Sequence, residues 1–284
     1  MFSCCGHAIK SDVRQPAIIV EGLEKFFPPT YGGWRAFLQP FAELTSPALR
    51  GISFEVGEGA AVALLGANGA GKTTLLRILA TLLLPTRGSA ALAGHDIVCE
   101  PEVVRRQFGY HAGTDRGFYA RLTGRENLRF FGRLNHLPET TIEERIRTLS
   151  DQFELAAALD RQVRALSSGT IQRLSLLRAL LHQPKVLLLD EPTRSLDAIA
   201  AAEFRHFLKS EILARLGTSL LFASHSLPEI ELLAHRVAIL HEGTLLAFDA
   251  PAALKLKYSV SSLEEVFFTM TGRPIAASAE SLSS

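Results

Sequence analysis

The chain has 284 residues, of which 30 are Lys or Arg and 29 are Asp or Glu, so its formal net charge is +1. This balance lacks the strongly basic surface that nucleic-acid binding usually needs, and no nucleic-acid partner is expected. Three cysteines are too few for a disulfide framework, and no apolar run is long enough to cross a bilayer, which predicts a cytosolic chain without a membrane-spanning segment.

Residues 1–16 are expected to form a flexible N-terminus. They have neither the basic start nor the long apolar stretch of a secretory signal. Cys4, Cys5 and His7 leave a thiol or metal role open, but a frayed terminus is the favoured interpretation.

Short segments rich in aliphatic residues predict strands over 17–23, 49–56 and 60–65. An insertion, residues 28–47, separates the first two strands. Its apolar residues fall at helical spacing, broken by Pro40, and they are Trp34, Phe37, Leu38, Phe41 and Leu44. A membrane surface or a partner is one possible contact for this stripe. Packing on the protein's own small sheet is favoured, because amphipathic stripes usually face a core.

The stretch "GANGAGKT", residues 66–73, matches the phosphate-loop pattern G-x-x-x-x-G-K-[ST] between a predicted strand and a predicted helix, 71–83. Its glycines expose successive N–H groups to phosphate oxygens, and the helix dipole adds to their attraction. We expect Lys72 to neutralise the β- and γ-phosphates of a nucleotide and the Thr73 hydroxyl to bind Mg²⁺. The candidate nucleotide-binding residues here are Gly66, Asn68, Gly69, Ala70, Gly71, Lys72, Thr73 and Thr74.

Residues 123–183 are almost wholly helical in pattern. Thr123 with Glu126, and Thr141 with Glu144, are spaced as capping boxes that predict helix starts near 124 and 142. This indicates a helical subdomain, about 112–183, inserted into a sheet domain.

Strands are then predicted at 185–190 and 218–224, with a helix from near Asp197 between them, which is the alternation of a parallel sheet covered on both faces. The first of these strands ends in "DEP", which places Asp190 at the carboxyl edge of the sheet, where α/β proteins bind ligands. Asp190 is therefore the second candidate Mg²⁺ ligand, and Glu191 the candidate group that polarises the attacking water.

Near the C-terminus, Ser261 and Glu264 predict a short helix that ends near Gly272, followed by a disordered end. Residues 251–284 are therefore expected to form a helical tail beyond the main domain, 17–250.

The stretch "LSSGT", residues 166–170, resembles the LSGGQ signature of ATP-binding cassette (ABC) ATPases, at the start of a predicted helix and about twenty residues before Asp190. The resemblance covers almost the whole chain. It implies that Asp197 lies in the D-loop, that His225 touches the γ-phosphate, and that Phe27 stacks on adenine, with Phe26 and Tyr31 as competitors for that last role. It also implies a P-loop NTPase of the ABC ATPase type: an α/β fold with a mostly parallel core sheet, a small antiparallel β subdomain and an inserted helical subdomain.

In the family two such domains face each other head to tail. The resemblance therefore implies that Ser167, Gly169 and Thr170 complete the ATP site of a second ATP-binding subunit, with a homodimer favoured over a heterodimer. It further implies an ATPase that powers an integral-membrane permease from the inner face of the cell membrane. The tail "SSLEEVFFTMTGR" resembles that of exporters. A soluble ABC ATPase acting on nucleic acid or ribosomes is the alternative.

The chain departs from the family at one position that matters for coupling. After "FGYHA", where the family has a glutamine that contacts Mg²⁺ and water, stands Gly113. Thr114 or Asp115 can offer an oxygen ligand instead, or Asp115 is a solvated loop acid.

Overall fold

The structure is a computed structural model, and it describes residues 16–27, 46–112, 117–194 and 196–272. Strands of the described residues form two sheets. The strands are β1 (Ile18–Phe27), β2 (Ser46–Val56), β3 (Ala61–Leu65), β4 (Arg87–Leu92), β5 (His95–Asp96), β6 (Phe108–His111), β7 (Val186–Asp190), β8 (Ser219–Ala223), β9 (Arg236–His241) and β10 (Thr244–Asp249).

The larger sheet has the order β10-β9-β3-β8-β7-β6, and the smaller sheet has the order β2-β1-β4-β5. All pairs of the larger sheet are parallel except β10 with β9, whereas the smaller sheet is antiparallel. The predicted fold class, with a mostly parallel core sheet and a small antiparallel one, is therefore confirmed.

The helices pack around these sheets. They are α1 (Lys72–Leu79), α2 (Pro101–Gln107), α3 (Gly124–Leu134), α4 (Glu139–Gln152), α5 (Ser168–Leu180), α6 (Ala198–Phe207), α7 (Leu227–Leu233), α8 (Pro251–Tyr258) and α9 (Leu263–Thr271). A π-helical segment, Leu208–Arg215, continues α6. Within the described ranges, none of these helices is both long enough and apolar enough to cross a bilayer.

Three predicted helix boundaries need correction. The helix after the phosphate loop ends at Leu79, because Thr81 adopts φ +55°, and it does not reach residue 83. Helix α4 begins one turn before Thr141, after Pro138, so no capping box forms there. The cap of α9 is Ser262, whose side chain accepts a hydrogen bond from Glu265 N, and not Ser261.

Two apolar cores lie on the two faces of the larger sheet, because side chains alternate along each strand. On β3, Val62 and Leu64 belong to the core that contains α1 and the antiparallel sheet. Their neighbours Ala63 and Leu65 belong to the core formed with helices α3 to α9. Because the side chains on both faces of the central strands are buried, these strands are apolar along their length. Polar functional groups can therefore stand only at their carboxyl ends.

Candidate functional site

The phosphate loop leaves the end of β3 and can be built only from small residues. A Cβ on Gly66 would lie 2.4 Å from the carbonyl oxygen of Leu240 on β9, so no side chain fits at this position. Gly69 and Gly71 adopt φ +82° and +103°, in the left-handed region that favours glycine. Around Gly69 the space is open, which leaves room for a ligand against the exposed N–H groups.

The end of the phosphate loop packs against a single backbone carbonyl group, that of Ala48. A Cβ on Gly71 would lie 2.6 Å from the carbonyl oxygen of Ala48 on β2, and a Cβ on Gly243, in the β9–β10 turn, would lie 2.8 Å from it. Gly243 N also donates to Ala70 O at 3.2 Å, and Arg50 N donates to Gly243 O at 2.8 Å. The loop, the antiparallel sheet and the β9–β10 turn are therefore packed backbone to backbone.

Lys72 is a buried cation at the start of α1, with 6% of its surface exposed. Its Nζ donates to the carbonyl oxygens of Gly66 at 2.6 Å and Ala67 at 3.3 Å. Burial lowers the pKa of the Lys72 ammonium, while the nearby carboxylates Glu191 and Asp190 act in the opposite direction. No carboxylate of the described residues lies within ion-pair distance of Lys72, so its charge is available to an anion in the loop.

Thr73 and Asp190 lie side by side at the carboxyl edge of the sheet. Thr73 Oγ1 donates to Asp190 Oδ1 at 3.2 Å, and burial raises the pKa of the Asp190 carboxyl. The described residues contain no cluster of three or more His, Cys, Asp or Glu side chains that could hold a metal alone. Two hard oxygen donors beside a phosphate loop nevertheless fit Mg²⁺, which usually takes one or two protein ligands and completes its shell with phosphates and water.

Glu191 follows Asp190 in a strained conformation, with φ +50°, and its N–H donates to Ala223 O on β8 at 2.9 Å. This backbone turns the carboxylate toward His225, whose Nε2 lies 3.1 Å from Glu191 Oε1 and whose N–H donates to Glu191 Oε2 at 3.4 Å. Burial raises the pKa of the Glu191 carboxyl, which makes it a better proton acceptor.

His225 connects this carboxylate to the phosphate loop, because its Nε2 also lies 3.2 Å from Lys72 Nζ. Burial and the charges of Lys72 and Arg194 lower the pKa of His225 to about 4. The imidazole is therefore neutral near pH 7 and can present one N–H to a phosphate oxygen without carrying a charge of its own.

One cavity of about 670 Å³ is faced by Lys72, Thr73, Glu191 and His225, whereas Gly66 and Asp190 are not among the described residues that line it. The described residues that line it include two basic residues that the sequence motifs did not single out, Arg194 and Arg205. No ion pair is formed by either guanidinium within the described ranges. Arg194 directly follows "DEPT", so its closeness to Glu191 in the sequence could have indicated that it belongs to the site. Arg205 comes from α6, and only the fold shows that it lines the cavity. The predicted residues that line the cavity are Asn68, Gly69, Ala70, Gly71, Lys72, Thr73, Thr74, Glu191 and His225.

The signature residues lie elsewhere. Ser167 is exposed and caps α5, its Oγ accepting from Thr170 N at 3.2 Å, and Gly169 faces Leu196. Of the described residues that line the cavity, none belongs to the signature. Within one chain the structure therefore does not bring the signature and the phosphate loop together.

Two further predicted contacts are also outside the cavity. Asp197 caps α6, with its Oδ1 accepting from the N–H groups of Ile199 and Ala200 at 3.0 and 2.9 Å. Phe27 ends β1 with 38% of its surface exposed, and Lys25 Nζ lies 5.2 Å from its ring centroid. Neither is among the described lining residues.

Some predictions fall outside the described residues. These concern Cys4, Cys5, His7, Tyr31, most of the insertion 28–47, and Gly113, Thr114 and Asp115 at the position of the family's glutamine.

Comparisons with known proteins agree with this geometry. A family model described as ABC transporter matches residues 49–194. The chain is 36% identical over 229 residues to the ABC transporter ATP-binding protein NatA of Bacillus subtilis (strain 168), an alignment that covers 81% of this chain and 92% of that protein. It is 38% identical over 242 residues to the daunorubicin resistance ATP-binding protein DrrA3 of Streptomyces coeruleorubidus, covering 84% of this chain and 70% of that protein.

A solved structure described as an ATP binding subunit of an ABC transporter superposes with a TM-score of 0.74 and 26% identity, covering 90% of this chain and 99% of that one. The match of the family model spans the phosphate loop, the signature and the Asp190–Glu191 pair, and it includes Lys72 and Glu191 of the cavity, whereas His225 lies beyond the matched residues. The chain therefore belongs to the ABC transporter family, as an ATP-binding subunit that hydrolyses ATP.

Proposed function

We propose that two copies of this chain close on ATP and drive an exporter whose membrane-spanning permease is a separate chain. The observation that carries this proposal is the line of Lys72, His225 and Glu191, joined through contacts of 3.2 and 3.1 Å at one face of the cavity, while the signature is presented on an exposed helix start elsewhere. A site divided in this way needs a second chain to be complete.

Within one chain, Lys72 neutralises the β- and γ-phosphates, and the neutral His225 donates its ring N–H to the γ-phosphate. Glu191, whose pKa is raised by burial, accepts the proton of the attacking water. Thr73 and Asp190 would hold Mg²⁺, which would neutralise charge on the phosphates.

The other chain contributes its α5 start. Ser167, Gly169 and Thr170 offer a hydroxyl, backbone N–H groups and the positive end of a helix dipole, all of which attract a phosphate. Ser167 Oγ and Thr170 Oγ1 lie 2.8 Å apart in the free chain, so this hydrogen bond is exchanged for one to ATP in the dimer. Loss of the γ-phosphate removes these contacts and reopens the dimer, which resets the permease.

Export is favoured by the similarity to DrrA3, a daunorubicin resistance ATP-binding protein. By that analogy the chain docks as a peripheral subunit on the inner face of the cell membrane. The alternative of a soluble ATPase on nucleic acid or ribosomes is not favoured, because the similar proteins reported above are described as parts of transporters or of drug resistance.

The Glu191→Gln variant tests the division of the site. It keeps the hydrogen bond to His225 N but has no proton acceptor of comparable strength, so ATP should bind without being hydrolysed and hold two chains together. Size-exclusion chromatography with light scattering should then give twice the mass of 31.0 kDa with ATP and the single mass with ADP. A variant that stays monomeric with ATP, or keeps normal turnover, contradicts the proposal. Co-purification with an integral-membrane protein rather than with ribosomes tests the partner.

A further inference from the structure

One buried acid near the cavity has no part in the chemistry described above. Glu229 lies in the first turn of α7 and is fully buried. It stands three positions after the N-cap Ser226, which is the spacing of a capping box, yet the Ser226 side chain makes no cap hydrogen bond. The carboxylate points into the protein instead, which is costly for an acid unless a partner there requires it.

The partners of Glu229 come from two different strand ends. Ser224 Oγ, after β8, donates a short hydrogen bond to Glu229 Oε2, and Thr193 Oγ1, after β7, donates to the same oxygen at 3.5 Å. Ser226 N in turn donates to Ser224 Oγ at 3.0 Å. The other carboxyl oxygen, Oε1, has no hydrogen-bond partner in the part of the chain that the structure describes.

These two hydroxyls flank the reactive pair. Thr193 follows Glu191 by two residues, and Ser224 directly precedes His225. A single oxygen of Glu229 therefore connects the loop that carries the proton acceptor with the loop that carries the histidine, through two hydroxyl residues that themselves line the cavity.

We propose that Glu229 is a positioning residue for ATP hydrolysis, which fixes the separation of Glu191 and His225 by tying Thr193 to Ser224. This inference rests on the proposed function, since it assigns how that site is held in shape. Misplacement of a catalytic group by about 1 Å can lower the rate on the order of a hundredfold. Loss of the hydrogen bonds from Thr193 and Ser224 to Glu229 should therefore lower the rate of ATP hydrolysis.

The charge state of Glu229 supports a second consequence. Burial raises the pKa of Glu229 to about 7; the Ser224 hydrogen bond and Arg205, on α6, act to lower it, whereas Glu191 raises it further. Below this pKa the carboxyl is neutral. Above it, a negative charge appears beside the Thr193 and Ser224 hydroxyls, which line the cavity, and this charge opposes the negative phosphates of ATP. ATP binding should therefore weaken as the pH rises through about 7.

Three variants test the tie, with steady-state ATPase activity and ATP affinity measured separately at pH 6.0. Glu229→Gln keeps an oxygen that accepts from Ser224 and should hold kcat within about threefold of wild type. Glu229→Ala removes the acceptor and should lower kcat by about 10- to 100-fold while the ATP Kd changes by less than about threefold. Glu231→Gln, on the same helix at an exposed position paired with Lys255, is the matched control and should behave as wild type.

Ser224→Ala removes the short hydrogen bond and leaves the acid in place, so it tests the same tie if Glu229→Ala does not fold. Its kcat should fall by about tenfold. Normal kcat in Glu229→Ala or in Ser224→Ala overturns the inference, and so does a loss in Glu229→Gln as large as in Glu229→Ala.

The pH dependence of the ATP Kd tests the charge effect of Glu229 separately from the tie, which is tested by kcat and by its retention in Glu229→Gln. Between pH 6.0 and 8.0 the wild-type and Glu231→Gln ATP Kd should rise about tenfold more than the Kd of Glu229→Gln, which has no charge to gain. Equal pH dependence in all three refutes the charge effect of Glu229. If the wild-type protein itself hydrolyses no ATP, the proposed function fails; if it is active and the Glu229 variants match it, only this inference fails.

Discussion

Replacing Lys72 with Met should change the stability of the free protein little, but it should remove most of the stabilisation that ATP provides. In the free protein the change removes a buried ammonium whose pKa is lowered by burial. A lowered lysine pKa means that the folded state disfavours the proton, so the charged side chain costs stability at any pH below its folded pKa. The change also removes hydrogen bonds to Gly66 O and Ala67 O, each contributing about 1 kcal/mol. These effects oppose each other, and the unfolding free energy should change by no more than about 1 kcal/mol.

With ATP the same variant should lose most of its ligand-induced stability. A charge-assisted hydrogen bond to phosphate contributes about 2 kcal/mol, and its loss raises the ATP Kd by about 30-fold. At an ATP concentration about 100 times the wild-type Kd, ATP stabilises the wild type by about 2.7 kcal/mol and the variant by about 0.9 kcal/mol. At about 3 °C per kcal/mol for a chain of this size, the shifts in Tm are about 8 °C and 3 °C.

Thermal unfolding monitored by circular dichroism, with and without ATP, measures both effects. Lys209→Met, at an exposed position in the π-helical segment, is the matched control and should keep the full ATP-induced shift. The reasoning is wrong if the Lys72 variant loses several degrees before ATP is added, or if it retains the wild-type shift.

Three further predictions follow from the described contacts. Arg194→Ala removes a cation that lines the cavity and forms no ion pair among the described residues, so it should weaken ATP binding by about fivefold in calorimetry. The control, Arg106→Ala on α2, should leave the affinity unchanged. Equal ATP affinities of the two variants would show that Arg194 does not face the phosphates. His225, whose pKa is lowered to about 4, should titrate in NMR spectra with a midpoint near that pH. Because the folded state disfavours the protonated imidazole, the contribution of His225 to the unfolding free energy should fall as the pH drops from about 6.5 toward 4. A midpoint near pH 6.5 would contradict the burial of this side chain. Gly109→Ala would place a Cβ 2.1 Å from a backbone carbonyl oxygen of α5 and should lower the unfolding free energy by about 2 kcal/mol. At Gly57 the nearest atom to an added Cβ lies 3.9 Å away, so the control Gly57→Ala should be tolerated. Equal Tm values of the two variants would show that α5 can shift at no cost in stability.

The phosphate loop and the Asp190 strand could be predicted because their signals are local. A run of aliphatic residues that ends in an acid, and glycines that precede a lysine, each specify their own backbone and position the polar group at the sheet edge. The capping box of Thr123 and Glu126 formed as predicted for the same reason, since all its atoms lie within one turn.

The predicted helix boundaries were wrong where two local sequence signals competed. Pro138, with its fixed φ, starts α4 one turn earlier than Thr141. The tail offers two overlapping Ser and Glu pairs, and the structure uses Ser262 as the cap, while Ser261 N and Oγ bind the Glu265 carboxylate from outside the helix.

The site residues that sequence motifs missed depend on contacts between distant parts of the chain. Glu229 meets Thr193 across 36 residues, and its own surroundings in the sequence indicate only a helix cap. Arg205 reaches the cavity from the helix that Asp197 caps, and this is visible only when α6 is packed beside the sheet.

The carbonyl of Ala48 has a mechanical consequence for nucleotide exchange. Since Gly71 and Gly243 both pack closely against it, a movement of the loop should be transmitted to the β9–β10 turn and to the edge of the antiparallel sheet. Amide hydrogen exchange at Arg50 and Gly243 should therefore slow when ATP enters, which would make two backbone positions outside the cavity reporters of its occupancy.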